Sequence, residues 1–427
     1  MLKTIKDSGI QKSMFDGTIP LKLKKPIRLI ELFAGIGAQA KALENLGIEF
    51  EHYRICEFDK YAVASYNAVH GTNFQTSDIT KIHAEDLGII DTDKYDYIMT
   101  YSFPCTDLSK AGKQLGMSRE SGTRSGLLWE VERLLKETKE LPQILLMENV
   151  PDILSEKNRN DFYSWCDFLE KLGYTSKYAI LNAKDYGIPQ NRERCFMISW
   201  LGEDYCYDFP GKIPLPIRLK DVLEKKVDEK YYLSDKTIKY FIKHTQESIE
   251  KGNGFRFEPT DGNVIAKSVL TKNGSRPCDN FIKEKYRFYE QAFETVKKNE
   301  CENGDTIDAF NKKVNKSGYS PTVTTRPDGF KTEILVYNGY NQSIRKDSTT
   351  VGTLTRNCGA DLKRNGIGII NNAKIRKLTP KECWRLMGFD DESFSRAEKV
   401  VSNPQLYKQA GNSIVVNVLM EIFRKLF

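Results

Sequence analysis

The sequence predicts an α/β fold in which helices cover both faces of a mixed sheet. Apolar strand-like runs alternate with amphipathic helical runs between residues 27 and 202. A glycine-rich turn directly follows the first of these strands. From residue 203 to 374 Lys, Asn, Gly, Thr and Tyr dominate and helical periodicity weakens, which predicts a second, smaller domain of mostly irregular or β structure.

The composition narrows the classes of protein that fit the chain. Its 427 residues carry 65 Lys and Arg against 58 Asp and Glu, a net charge of +7 that is compatible with a nucleic-acid partner. Nine cysteines without CxxC spacing and four histidines without metal-ligand spacing predict neither a disulfide framework nor a metal site. No signal peptide or membrane-length apolar run is present, so we expect a cytoplasmic protein.

The first element of the fold is the strand 27–33. It ends in the turn Ala34-Gly35-Ile36-Gly37-Ala38, and a helix is predicted over 39–46. Gly35 and Gly37 allow the backbone to approach a ligand closely. The pattern is not GxGxxG, so a dinucleotide is not favoured. The Lys-rich segment 1–26 is expected to be an extension outside the fold.

Two acids follow the next two elements. Glu57 comes after the strand 53–56, and Asp78 ends the following unit, after a helix predicted over 59–66. An acid about 20 residues beyond a glycine turn typically accepts the hydroxyls of a ribose. Either acid could instead cap a helix. The β-α-β-α-β order favours a nucleoside ligand.

A cysteine lies at the predicted edge of the sheet. The strand 95–100 leads into Tyr101-Ser102-Phe103-Pro104-Cys105, and ligands of open α/β sheets bind outside the carboxyl ends of the strands. A thiol there is placed to react, although a free cysteine is commonly a small buried hydrophobe. The loop 106–125 is rich in Gly, Ser and basic residues, which suits phosphate contact, and a helix is expected over 126–135.

A further acid, Glu148, and a basic segment complete the predicted site. Glu148 follows the apolar strand 143–147, where partial desolvation should raise its pKa and suit it to donate a proton. A helix over 161–172 follows. On a continuous strand, Gln190, Arg192 and Arg194 would share one face and form an acceptor-binding surface. A salt-bridged edge strand is the alternative.

The remaining segments suggest a base-reading loop set and a closing helix. Three stretches, 270–274, 324–329 and 354–359, each combine Thr, a basic residue and a turn signal, which suits base-edge and phosphate contact but also describes ordinary hairpin turns. Thr379 should cap a helix that begins at Pro380. The segment 409–413 is expected to start a helix whose apolar face docks on the first domain.

Six of these segments, in order, resemble the motifs of the DNA (cytosine-5)-methyltransferase family. They are Phe33–Gly37, Phe103–Cys105, Glu148–Val150, Gln190–Arg194, Arg376–Phe389 and Gln409–Ser413. The resemblance covers roughly 27–200 and 375–427. Residues 102–135 are especially similar to the CG-specific mollicute enzymes of that family. Ala38 departs from the third glycine of many members.

The resemblance implies a Rossmann-like methyltransferase fold, S-adenosyl-L-methionine as cofactor and no metal. It implies a cofactor site made of Phe33, Ala34, Gly35, Ile36, Gly37, Glu57, Phe58, Asp78, Ile79, Pro104, Leu127, Asn412 and Ser413. By the same resemblance Cys105 adds to carbon-6 of cytosine, Glu148 engages ring nitrogen 3, Arg194 binds the base carbonyl, and Arg192 holds Glu148 or adds positive potential. Candidate DNA contacts are Gln190, Ser109, Lys110, Arg124, Lys272, Arg326 and Arg356.

The predicted organisation and partners follow from the same comparison. We expect an extension at 1–26, a catalytic domain at 27–202, a target-recognition domain at 203–374, a hinge segment at 375–408 and a closing helix at 409–427. The expected partner is double-stranded DNA with a short recognition sequence, with a restriction endonuclease as a second candidate, and the expected state is a monomer. A tRNA cytosine-5 methyltransferase and a catalytically silent DNA-binding protein are the rivals.

Overall fold

The computed structural model divides the chain into two compact units. The first comprises residues 1–227, 240–280 and 377–427, and the second comprises 228–239 and 281–376. The structure describes these residues: 19–104, 124–202, 205–252, 254–285, 306–308, 313–315, 335–338, 343–345 and 373–427. The predicted domain bounds at 202/203 and 374/375 stay predictions.

The first unit contains the larger sheet. Its strands are β1 (Ile19–Pro20), β2 (Ile27–Leu32), β3 (Phe50–Cys56), β4 (Asp96–Tyr101), β5 (Ile144–Asn149), β6 (Tyr174–Asn182), β7 (Gln190–Asn191), β8 (Glu193–Leu201), β9 (Tyr205–Cys206) and β10 (Ala266–Lys267). Its helices are α1 (Ala38–Asn45), α2 (Lys60–His70), α3 (Ala84–Leu87), α4 (Leu128–Glu137), α5 (Arg159–Lys171), α7 (Pro380–Arg385), α8 (Asp391–Ala397), α9 (Asn403–Asn412) and α10 (Val416–Phe423). Helix α6 (Asp235–Glu250) begins in the second unit and ends in the first.

The sheet is mixed and has six strands in the order β3-β2-β4-β5-β8-β6. Strands β3, β2, β4 and β5 are parallel, whereas β8 is antiparallel to both β5 and β6. Strands β4 and β5 are buried along their whole length, as the apolar runs predicted. The predicted α/β fold with a mixed sheet is confirmed.

Local sequence signals explain where several helices begin and end. Asp59 accepts a hydrogen bond from the Tyr61 N–H and starts α2, and Gly71 ends that helix with a left-handed φ of 69°. Thr379 and Glu382 form a reciprocal capping box at α7, with Pro380 in its first turn. The predicted cap at Thr379 is therefore confirmed.

In the second unit the structure describes short strands. They are β11 (Phe281–Lys285), β12 (Thr306–Asp308), β13 (Lys313–Asn315), β14 (Leu335–Asn338), β15 (Ser343–Arg345) and β16 (Ala373–Lys377). Four of them form an antiparallel sheet in the order β13-β12-β14-β15, and β11 pairs with β16. Along the described parts of the chain no helix combines the length and the apolarity needed to cross a membrane.

The N-terminal segment differs from its prediction. Residues 19–20 pair with β9, Leu21 is buried, and the Leu23 N–H donates to the carbonyl of Leu426. The backbone N–H groups of Lys24 and Lys25 both donate to the Asp96 carboxylate. Residues 19–25 therefore belong to the first unit, because a buried leucine and a buried carboxylate anchor them there.

Candidate active site

The strand register brings the predicted motifs to one edge of the sheet. Leu32 is level with Cys56 on one side and with Tyr101 on the other. Tyr101 in turn is level with Met147. The residues that follow these four positions therefore leave the carboxyl ends of four parallel strands at the same height, the place where open α/β sheets bind ligands.

The turn after β2 is fastened to the end of β3. Gly35 and Gly37 have φ of 57° and 76°, and the preceding Phe33 also has a positive φ of 59°. The Glu57 carboxylate accepts hydrogen bonds from the N–H groups of Gly35 (2.9 Å) and Asp59 (2.8 Å). Burial raises the pKa of Glu57, while these N–H groups act in the opposite direction. Because Asp59 caps α2, the alternative reading of Glu57 as a helix cap is wrong.

Asp78 is held differently from Glu57. Its Oδ1 accepts hydrogen bonds from the N–H (3.0 Å) and the hydroxyl (2.8 Å) of Thr80, and these bonds lower the pKa of Asp78. Asp78 thus closes a turn and does not cap a helix, since no helix begins at the residues that follow it. Ile79 beside it is buried in the main apolar cluster.

The apolar groups predicted for the cofactor site suit a flat aromatic ligand. The ring of Phe58, next to Glu57, is 78 % exposed and lies in the short connection between β3 and α2. Phe33 and Leu127 are partly buried and pack against the same core cluster. A Cβ added at Gly35 would meet no atom within 4 Å, so open space lies beside the turn. An exposed aromatic ring, a carboxylate and an open glycine turn fit an adenosine group.

The end of α9 approaches the same region. Lys408 pairs with Asp59 at 2.7 Å, and the Gln409 side chain donates to the carbonyl of Tyr61 (2.9 Å) and accepts from the Ser65 hydroxyl (3.1 Å). Asn412 is exposed and Ser413 is buried. The segment 409–413 ends α9 rather than starting a helix, because Ser413 and Val415 are extended before α10 begins at Val416. Helix α10 packs on α1, as its apolar face predicted.

Two hydrogen bonds position the backbone that precedes Cys105. The Asn149 side chain donates to the carbonyl of Phe103 at 3.0 Å, and the Ser125 hydroxyl donates to the carbonyl of Pro104 at 2.8 Å. Sequence reasoning missed both residues, although an Asn directly after Glu148 was a visible signal. Cys105, Ser109 and Lys110 lie outside the described residues, as does the side chain of Arg124.

Glu148 is the buried acid of the site. It lies one position beyond the Tyr101–Met147 level in β5, and the residue is 8 % exposed. Its Oε1 is 3.0 Å from Nε of Arg194. Burial raises the pKa of Glu148, and the charges of Arg194 and Arg192 act against that rise. The predicted direction of this shift is confirmed.

Arg192 has a different environment from Arg194. The expected continuous strand is interrupted at Arg192, between β7 and β8, so the two guanidiniums do not share one strand face. The Arg192 side chain is buried and donates to four oxygens, which are Ser268 Oγ (3.2 Å) and the carbonyls of Val269 (3.1 Å), Gly411 (3.0 Å) and Ser413 (2.8 Å). It joins the segment 268–269 to the end of α9. Its charge also acts against the rise in the pKa of Glu148 that burial causes.

The predicted DNA contacts are only partly described. Gln190 is completely buried, and its amide bonds the carbonyl of Leu386 (2.7 Å) and the N–H of Val269 (2.8 Å). An amide committed in this way does not reach DNA, so that prediction is wrong. Lys272 is exposed, and Arg326 and Arg356 lie outside the described residues.

Comparison with known proteins identifies the family. The sequence model of the C-5 cytosine-specific DNA methylases matches residues 27–427. The chain belongs to this family. It is therefore a DNA (cytosine-5)-methyltransferase, as its motifs predicted.

Relatives of this methyltransferase come from bacteria and phages. The orphan methyltransferase M.SPRI of Bacillus phage SPR is 31 % identical over 450 residues, covering 94 % of this chain and 97 % of the relative. The type II methyltransferase M2.ScrFI of Lactococcus lactis subsp. cremoris is 29 % identical over 449 residues, covering 94 % and 99 %. The orphan methyltransferase M.SssI of Spiroplasma monobiae is 36 % identical over 287 residues, covering 54 % and 73 %.

Solved structures share the fold. The S. pombe Dnmt2 methyltransferase has a TM-score of 0.58 at 17 % identity, with 93 % of this methyltransferase and 97 % of that chain covered. The Entamoeba histolytica methyltransferase EhMeth has a TM-score of 0.57 at 18 % identity, with 95 % and 98 % covered. At this level of identity the likeness concerns the fold alone.

Proposed function

We propose that the enzyme methylates carbon-5 of a flipped-out cytosine in duplex DNA through a covalent adduct with Cys105, using S-adenosyl-L-methionine. The observation that carries the proposal is the ion pair between the buried Glu148 and the half-buried Arg194. It lies at the carboxyl edge of the sheet, next to the strand that leads into Cys105. Carbon-5 of cytosine is a poor nucleophile, so the ring has to be activated before it can accept a methyl group.

Activation needs a nucleophile and an acid that act together. Attack of the Cys105 thiolate on carbon-6 forms a C–S bond and pushes electrons toward ring nitrogen 3, where the Glu148 carboxyl donates a proton. This leaves an enamine that is nucleophilic at carbon-5. The raised pKa of Glu148 favours the protonated state that this step requires.

The guanidinium of Arg194 assists the acid. Its Nε holds Glu148, and its positive charge near the base carbonyl stabilises the electrons displaced by the attack. After methylation, water accepts the carbon-5 proton, the electrons of that C–H bond form the C5–C6 double bond, and the C–S bond breaks to release the Cys105 thiolate, while the proton on nitrogen 3 returns to Glu148. The positive potential of both arginines also lowers the pKa of a nearby thiol.

The cofactor residues act by binding and orientation. S-adenosyl-L-methionine supplies the methyl group from its sulfonium. Glu57 accepts the ribose hydroxyls, Phe58 and Phe33 flank the adenine, and Asp78 meets the adenine amine. Ala34, Ile36, Pro104, Leu127 and Asn412 would line the same pocket, with Ser413 fixing its edge.

Another described cysteine near the acid is a poor alternative nucleophile. Cys195 lies opposite Asn149 in the β5–β8 ladder and is completely buried. Burial raises its pKa to about 12. At neutral pH such a thiol is protonated and packs as a small hydrophobe, so it cannot replace Cys105.

Duplex DNA is the favoured substrate, and the base must leave the helix to reach this edge. Flipping costs a few kcal/mol, which contacts from the loop after Cys105 and from the second unit would supply. The family match and the type II and phage relatives favour DNA over tRNA. Protection of host or phage DNA, with or without a restriction endonuclease, is the corresponding biological role.

Bisulfite sequencing of plasmid DNA tests the proposal. Cells expressing the parent chain should contain protected cytosines within one short sequence. Cys105→Ala should give none, while Cys206→Ala, which removes a half-buried thiol of β9, should protect the same sites. Protection by Cys105→Ala would contradict the covalent mechanism, and no protection by the folded parent would contradict DNA as the substrate.

A further inference from the structure

Three side chains outside the proposed reaction converge beside α1. Glu44 comes from the end of α1, His52 from β3 and His70 from the end of α2. Glu44 Oε1 lies 2.6 Å from Nδ1 of His70 and 3.7 Å from Nε2 of His52. One ligand atom from each of the three residues lies within 4.8 Å of the other two. The two histidines are 18 positions apart, so sequence spacing gave no sign of the cluster.

The outer nitrogens of both rings fix their tautomers. His70 Nε2 is 3.1 Å from the carbonyl oxygen of Ile36, so this nitrogen carries a hydrogen and donates it. The Tyr66 hydroxyl donates to Glu31 at 2.6 Å, so the phenol oxygen accepts from His52 Nδ1 at 3.1 Å. In the tautomers that carry only this ring hydrogen, Nδ1 of His70 and Nε2 of His52 present lone pairs toward Glu44.

Three possible ligand atoms that face one another can hold either a shared proton or a metal cation between them. We propose that Glu44, His52 and His70 bind a divalent cation of the zinc class. In a tetrahedral zinc site the bonds of 2.0–2.2 Å place neighbouring ligand atoms about 3.3 Å apart. The observed 2.6 Å and 3.7 Å lie on either side of that value, so side-chain shifts of under about 1 Å complete the geometry.

The surroundings match those of a metal site. Ligating histidines usually donate their other ring N–H to a carbonyl or to a carboxylate-linked group, and both do so here. The His70 side chain is completely buried, whereas those of His52 and Glu44 are 20 % and 30 % exposed. Water can therefore enter from the Glu44 side and supply a fourth ligand.

One cation already touches Glu44 but does not fill the cluster. Lys41 Nζ lies 3.5 Å from Oε2 of Glu44, on the oxygen that faces away from His70, and pairs more closely with Asp390 at 2.7 Å. Oε1 remains directed at the two rings. The bound ion would also fix the His70 ring, which donates to Ile36 in the turn after β2 and leaves no room for a side chain at Gly37.

Zinc binding by the full chain tests the assignment. Chelator-treated protein should take up one Zn²⁺ per chain in equilibrium dialysis, and Tyr66→Phe should weaken the affinity by about 10–100-fold because the support of His52 is lost. His52→Gln should weaken it by more than that. His83→Gln is the matched control, since His83 also faces a carboxylate, Glu137 at 3.5 Å, but the described residues offer no third ligand there.

Cobalt distinguishes this cluster from a cysteine site. Co²⁺ bound to the chain should show visible bands of tetrahedral coordination without thiolate-to-cobalt charge transfer, and His52→Gln should abolish those bands while circular dichroism stays unchanged. A proton shared between His70 and Glu44 would satisfy the same geometry without metal. Absence of Zn²⁺ uptake, thiolate charge transfer, or equal affinity in His52→Gln and His83→Gln would each overturn the proposal.

Discussion

Two glutamates at the same sheet edge are held in opposite ways. Glu57, after β3, accepts hydrogen bonds from two backbone N–H groups, those of Gly35 and Asp59. Glu148, at the end of β5, pairs with the guanidinium of Arg194. Burial raises the pKa of both carboxyls.

Under the proposed function this difference separates ligand binding from proton transfer. Backbone N–H groups are fixed by the fold, so the two that bind Glu57 hold its carboxylate in one position, which suits an acceptor for a ligand hydroxyl. The guanidinium of Arg194 is on a side chain that can rotate, so its contact with Glu148 can change, which suits a carboxyl that exchanges a proton with the base.

Exchange of each glutamate for glutamine should separate the two roles most strongly. Glu148→Gln should lower kcat by about 10²–10⁴-fold, the usual contribution of general acid–base catalysis, with little change in the KM for S-adenosyl-L-methionine. Glu57→Gln should raise that KM by about 10-fold with a smaller effect on kcat. Tritium transfer to duplex DNA measures both. The same kinetic change in both variants would contradict the division.

The two neighbouring arginines should differ in their effect on stability. Arg192→Ala removes the donor from three carbonyls, two of them in buried hydrogen bonds, and should lower the free energy of unfolding by about 3 kcal/mol. Arg194→Ala should cost less than about 1 kcal/mol, because Glu148 can become neutral by protonation. Urea denaturation of the two variants compares them, and equal losses would refute the assigned clamp.

The raised pKa of Glu148 predicts a pH-dependent stability difference. A carboxyl with a raised folded-state pKa contributes stability below its unfolded value of 4.5, and this is lost as pH rises through the folded pKa. Glu148→Gln should therefore gain stability relative to the parent as pH rises above 4.5. Urea midpoints measured at several pH values check this trend.

Asp391 provides a control of opposite sign. Its hydrogen bonds with Arg385 lower its pKa to about 2, so its contribution is present above 3.8 and lost as pH falls toward 2. Asp391→Asn should therefore lose stability relative to the parent at neutral pH and approach it in acid. A Glu148→Gln difference that follows the same direction as Asp391→Asn would contradict the shift described here.

The smallest effect is expected at Ser125, whose hydroxyl binds the backbone carbonyl just before Cys105. Ser125→Ala removes the hydrogen bond to the Pro104 carbonyl and should lower kcat about 2–5-fold, equivalent to a net hydrogen bond of ~1 kcal/mol or less. Ser164→Ala removes a comparable bond within α5, to the carbonyl of Asn160, and should leave kcat unchanged. Equal kcat values for both variants would show that the Pro104 bond does not position Cys105.

The strands and motifs could be predicted because their signals are local. An apolar run marks β5 wherever it occurs, and Thr379 followed by Pro380 marks the start of α7 by its own hydrogen bonding. The raised pKa of Glu148 followed from its position after such a run. These features depend on a few neighbouring residues, so a short stretch of sequence is enough to predict them.

The predictions were wrong for residues whose environment depends on contacts with distant parts of the chain. Arg192 and Arg194 look equivalent in the sequence, but carbonyls of residues 269, 411 and 413 bind only the first of them. Gln190 looked like a surface amide, yet Val269 and Leu386 enclose it. Leu21 is buried, and its N–H donates to the carbonyl of Cys206, a distant partner that no local pattern in a Lys-rich stretch reveals.

Trapping the covalent intermediate tests the central claim most directly. Duplex DNA with 5-fluorocytosine at a site mapped by bisulfite sequencing cannot lose a proton from carbon-5, so the enzyme should stay attached in the presence of S-adenosyl-L-methionine. Mass spectrometry of the digested complex should locate the DNA on Cys105, and the Cys105→Ala variant should form no covalent adduct. An adduct on another residue, or methylation of ordinary DNA without any trapped complex, would contradict the mechanism.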